Sequence, residues 1–128
     1  MIFLSNHQFS VLYYILMFGQ LIIFQRFYDF ILILYPVINR FPKSHRLVLG
    51  NQIEKIAVTI LVLIIQANAE TNSTRQLTFK DISKNLDILR ILIRLSKDLR
   101  LISLGQYQVL SKKLNEICKL FFSWSKKV

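Results

Sequence analysis

The sequence predicts an all-α protein, an antiparallel four-helix bundle with short connections. Three observations predict it. Only three glycines and two prolines interrupt 128 residues that are 53% hydrophobic, which leaves too few breaks for a many-stranded sheet. Tyr107, Leu110, Leu114, Ile117, Phe121 and Trp124 recur in alternating steps of three and four, the spacing of one face of an amphipathic helix. The long periodic stretches are separated by short segments such as 41–44 and 70–76, as in a bundle whose neighbours are joined by short connections. A chain of this length buries roughly two thirds of its unfolded surface, so a single domain has a sufficient core.

Residues 1–20 read as an apolar N-terminal extension and 21–128 as the bundle domain. The uncharged run over 9–25 is shorter than the roughly 20 predominantly apolar residues that cross a bilayer. No Lys or Arg precedes it and no small-residue cleavage site follows, unlike a signal peptide. A membrane anchor is therefore not expected. A helical extension packed on the bundle, or a true start at Met17, is.

The first bundle helix is predicted over 26–39, with Phe27, Phe30, Ile31, Leu34, Val37 and Ile38 at helical spacing and Pro36 kinking its last turn. Phe41 and Pro42 stop it, and Ser44 is the expected N-cap of the next helix. That second helix spans 45–70 and carries apolar residues round nearly its whole circumference, which suits a central position or a contact with a second subunit. The polar stretch ETNSTRQ over 70–76 reads as a surface loop. A third helix follows over 77–99. Ser103 and Gln106 then have the spacing of a capping box that opens a last helix over 105–124. Trp124 reads as a core anchor and Cys118 as a small apolar residue; one cysteine cannot form an internal disulfide.

The net charge of +10 is unevenly placed. Residues 1–74 carry five Lys or Arg against three acids, and residues 75–128 carry twelve against four. In the third helix Asp87, Arg90, Arg94 and Lys97 share a face, Lys80 and Lys84 continue the row backwards, and Arg100 ends it where the helix dipole also favours positive charge. Asp87 is expected to pair with Arg90 or Arg94. Lys112, Lys113 and Lys119 lie on the outer arc of the last helix. A basic half of this kind points to a polyanionic partner, RNA or DNA without strong sequence preference. The sequence holds no metal-ligand spacing, phosphate loop or nucleotide fingerprint, so neither an enzyme nor a cofactor is expected.

YPVINRFPKSHRLVLGNQIE over 35–54, LRILIRLSKDLRLIS over 89–103 and the closing periodic pattern to Trp124 together resemble the Avd family. These are the accessory variability proteins of diversity-generating retroelements, similar in turn to four-helix proteins encoded in intervening sequences of bacterial 23S ribosomal RNA genes. The resemblance covers about 21–127 and leaves out 1–20. It implies a strongly basic, cytoplasmic, non-catalytic four-helix bundle that assembles as a pentameric ring. Such a protein binds the element's reverse transcriptase and nucleic acid during mutagenic retrohoming. The arginines of the family's L-R-x-x-x-R element match Arg90 and Arg94, Lys97 and Arg100 extend the row, and Lys43 and Arg46 match the family's basic turn. The expected binding residues are therefore Arg90, Arg94, Lys97, Arg100, Lys84, Lys43, Arg46, Lys112 and Lys113. A ribosomal intervening-sequence type protein and a small membrane-anchored helical protein are the alternatives.

Overall fold

The computed structural model describes residues 18–127. Among them the elements are helices only: α1 (Phe18–Asn39), α2 (Lys43–Ala69), α3 (Asn72–Asp98) and α4 (Leu104–Lys127). Most of the expected N-terminal extension, with the alternative start at Met17, lies outside the described residues. α1 begins at Phe18, earlier than Arg26, and runs through Pro36 to Asn39.

α1 packs on α2 and α4, and α3 packs on the same two helices, so the four rods form a closed square. Each turns one stripe inward. The stripe of α4 is the predicted one: Leu110, Leu114, Ile117, Phe121 and Trp124 are buried and Tyr107 half-buried. Side chains of this size contribute roughly 1.5–3 kcal/mol each on full burial, which makes the shared stripe the main source of stability. At one end Phe79 meets Phe121 and Trp124 edge to face, with centroids 5.8 and 4.9 Å apart. At the other end Phe41 and Ile102, from the two turns, close over Leu34, Ile53, Ile93 and Leu110.

Contacts between α3 and α4 run in reverse order along the chain. Phe79 meets Phe121 and Trp124, Arg90 meets Cys118, and Lys97 meets Tyr107. The α3–α4 turn is closed by the predicted reciprocal cap: the Ser103 N–H donates to Gln106 Oε1 at 2.9 Å, and the Gln106 N–H donates to Ser103 Oγ at 3.0 Å.

Two local expectations are corrected. Ser44 is not the N-cap of α2. The carbonyl of Pro42 accepts from the N–H groups of His45 and Arg46, both at 2.9 Å, so the helix starts at Lys43 and Ser44 sits inside its first turn. The stretch 70–76 is not a loop: only Glu70 and Thr71 lie between helices, and α3 begins at Asn72. Its polar side chains stitch the turn together. Arg75 Nε donates to the Ala67 carbonyl at 2.9 Å, and the Thr78 hydroxyl lies between Glu70, to which it donates, and Gln66, from which it accepts. Those bonds satisfy helix ends that a loop would have left to water.

Finally, α2 is not uniform, because Arg46–Gly50 form a π turn before the regular helix from Asn51. Gly50 is buried there, and a Cβ on it would lie 2.9 Å from Ile38 Cγ2 of α1. The turn brings two backbones too close for a side chain.

Gly50→Ala is expected to lower stability by about 1 kcal/mol despite alanine's better helix propensity, because the branched methyl of Ile38 cannot swing away. Gly105→Ala, whose nearest neighbour would be Ser103 Oγ at 3.9 Å, is expected to be neutral or stabilising by up to about 1 kcal/mol. Thermal unfolding of the two variants checks the contrast.

Candidate nucleic-acid interface

The basic residues of α3 and α4 are positioned by the packing of those two helices. Arg90 and Lys97 are two turns apart, and both lean toward α4. The Arg90 guanidinium donates to Cys118 Sγ at 3.5 Å, and Lys97 Nζ lies 4.7 Å from the centre of the Tyr107 ring. A cation over an aromatic face is held without losing its charge. Arg94, between them, points outward with its side chain 72% exposed and approaches Asp98 at 3.9 Å. Lys97 also approaches Asp98, at 3.4 Å. Exposed pairs of this kind add little stability and are screened by salt, so both cations stay available. The expected partner Asp87 is replaced in this role by Asp98.

On α4, Tyr107 and Cys118 mark the side that faces α3. Lys112 and Lys119, seven residues apart, share a line beside it and are exposed. Arg90, Arg94, Lys97, Lys112 and Lys119 thus share the outer face of the α3–α4 pair. Lys119, Tyr107 and Asp98 were not among the expected site residues. The seven-residue step from Lys112 was the signal for Lys119, and Tyr107 reads in the sequence as one more core position.

The remaining expected residues are elsewhere. Lys113 turns to the opposite side of α4, where it lines a cleft of about 270 Å³ with Arg26 and Asp29 of α1 and Glu116 of α4. Lys84 is exposed on α3, in line with Ile91 and away from Arg90 and Lys97. Lys43 and Arg46 lie at the end of the bundle, where Arg46 Nη1 donates to the Asn39 carbonyl at 3.4 Å. That end also bears Arg40, and Arg100 in the α3–α4 turn. The expected single row is therefore a face plus a basic end.

Arg100 has φ 62°, a left-handed conformation that glycine favours. It closes α3: its N–H donates to the Lys97 carbonyl, and the N–H of Leu101 donates to the Ser96 carbonyl, both at 2.9 Å. The other described non-glycine residue with positive φ is Asn72, where a short amide side chain tolerates it. Arg100 is exposed.

Cys118 is half-buried, and burial pushes its thiol above the usual range while the Arg90 guanidinium pulls it back. The shift makes it a poor nucleophile. Among the described residues no three His, Cys, Asp or Glu side chains gather in a way that could hold a metal ion.

A family profile described as bAvd-like matches residues 21–128. The chain belongs to the bAvd-like family. No curated protein matches it. In this bAvd-like chain the matched span includes α2, α3, α4 and nearly all of α1, so the basic face and the basic end both fall within it.

Arg100→Gly is expected to raise stability by about 1 kcal/mol, because it removes a left-handed non-glycine residue from an exposed turn. Chemical denaturation of the two proteins measures the gain.

Proposed function

We propose that this bAvd-like protein is a non-catalytic accessory protein of a diversity-generating retroelement, cytoplasmic and without a cofactor. It holds RNA or DNA, and the element's reverse transcriptase, against the basic face of α3 and α4. One observation carries the reading: the outer surface of the four-helix bundle is divided into a basic face and an apolar face. Family membership supports the retroelement role.

The basic face supplies polyanion affinity through counterion release, with each neutralised phosphate adding to the salt dependence. None of its residues is presented as a base-reading helix, so binding is weakly selective for sequence.

The apolar face lies on α1 and α2. Val58, Val62 and Ile65 follow one another at steps of four and three on the outer side of α2, and Val62 and Ile65 are each 53% exposed. Leu32 of α1 is 60% exposed, and Tyr28 stands one turn before it. Tyr35 and Glu54 tie the two rows together: burial, and then the Glu54 carboxylate, push the Tyr35 phenol above its usual range. Both helices are long and apolar enough to cross a membrane by length and composition, with only 28% and 33% of their apolar windows buried. Contiguous apolar surface of this kind calls for a partner. A second copy of the chain on this face would build the ring, a pentamer as in the family, and leave α3 and α4 outside. Repetition of the basic face around such a ring multiplies the contacts made at once.

Arg90→Ala with Arg94→Ala is expected to weaken binding of single-stranded RNA by about tenfold or more at moderate salt and to flatten its salt dependence by about two phosphate contacts. Circular dichroism and sedimentation should be unchanged. Fluorescence anisotropy across a salt series reads the effect, and equal affinity of variant and parent would refute the assignment of this face. A reverse transcriptase gene beside a template repeat would support the retroelement role, whereas a position inside a ribosomal RNA gene would overturn it.

A further inference from the structure

We infer that the groove between the first turns of α2 and the last turns of α3 is a docking slot for an acidic amphipathic helix of a partner protein. The slot lies on a different face from the nucleic-acid interface, and the inference goes beyond the proposed function.

The groove measures about 450 Å³, and its floor is formed by Val48 and Leu49 of α2 with Leu95 and Leu99 of α3. Val48 is 75% exposed, Leu99 48% and Leu95 40%, so these side chains are left open to water by the fold itself. The polar groups among the lining are short or neutral: Ser44, His45 and Gln52. A groove with an aliphatic floor between two helices is the shape that receives the apolar side of a third, through anchors at steps of three, four and seven.

Charge decides what kind of helix that is. Lys55 lies three residues past Gln52, and Lys84 stands three turns before Leu95, each on the side of a lining residue and beyond the groove's inner end. Lys43, the first residue of α2, and Arg100, in the α3–α4 turn, stand at its open end. Asp98 and Asp87 are the nearby acids: the Asp98 carboxylate already faces Arg94 and Lys97, and Asp87 stands one turn past Lys84 on the side of Arg90 and Arg94. Asp81 lies beyond Lys84, away from the apolar floor. The occupant therefore carries carboxylates beside its aliphatic anchors. A second copy of this chain does not fit that description: the exposed aliphatic row of its α2, Val58, Val62 and Ile65, has no carboxylate among its residues.

The test uses the full chain and two fluorescein-labelled helical peptides. One has leucines at i, i+3, i+4 and i+7 with glutamates between them; its twin has glutamines in place of the glutamates. The glutamate peptide is expected to bind about tenfold tighter than the twin, and Val48→Asp with Leu99→Asp to weaken it about tenfold. Both substituted positions are exposed. Should that variant nonetheless lose helicity, Lys55→Glu with Lys84→Glu, a change of charge alone at exposed sites, gives the same reading. Arg90→Ala with Arg94→Ala should leave peptide affinity within about twofold while impairing RNA binding, which separates this slot from the nucleic-acid face. Unchanged peptide affinity in both groove variants overturns the proposal, as does loss in the arginine variant alone. A changed sedimentation coefficient on Val48→Asp with Leu99→Asp would give the groove to another copy, and lost binding to phosphatidylserine vesicles would give it to a membrane. Either result also overturns it.

Discussion

A helix in a square bundle can bury only one stripe of its surface, and this constraint shapes the rest of the molecule. α3 and α4 are amphipathic in the ordinary sense, with one stripe apolar and the remainder polar or charged. α1 and α2 carry more apolar residues than one stripe can hold. Ile60 and Ile64 are enclosed, whereas Val62 and Ile65, on the same helix, face outward. The excess cannot be hidden by the four helices themselves, so it defines an external face. The cations concentrate on the other pair of helices. The charge asymmetry along the chain thereby becomes an asymmetry in space.

Most of the architecture could be read from periodicity. The steps of three and four in α4 identified its buried side, and the Ser103–Gln106 spacing identified its cap, because both depend on positions close in sequence. The errors lie where a distant group decides. The polar run over 70–76 has loop composition, but Arg75 and Thr78 bond back to the end of α2 and draw the run into α3. Ser44 has the chemistry of a cap, yet the Pro42 carbonyl begins the helix ahead of it.

The candidate site was legible residue by residue but not as an arrangement. Helical spacing located Arg90, Arg94 and Lys97 correctly on the outer part of α3. It could not show that Arg90 and Lys97 would be steadied by Cys118 and Tyr107, since those contacts cross between helices. Lys112 and Lys113 are adjacent in the chain and face different neighbours. One joins the basic face, and the other meets Asp29 and Glu116 in the cleft against α1. A difference of one residue on a helix rotates a side chain by about 100°, so adjacency in sequence was a poor guide to company in space.

The π turn at Arg46–Gly50 has a consequence for how this segment can vary. A π turn holds one residue more than an α turn, so it takes up that residue without rotating the segments on either side. Excising one residue there would restore a straight rod and leave His45 beside Leu99. A single-codon deletion is therefore absorbed at this turn, whereas the same deletion further along α2 would rotate its buried stripe by about 100° and turn it out of the core.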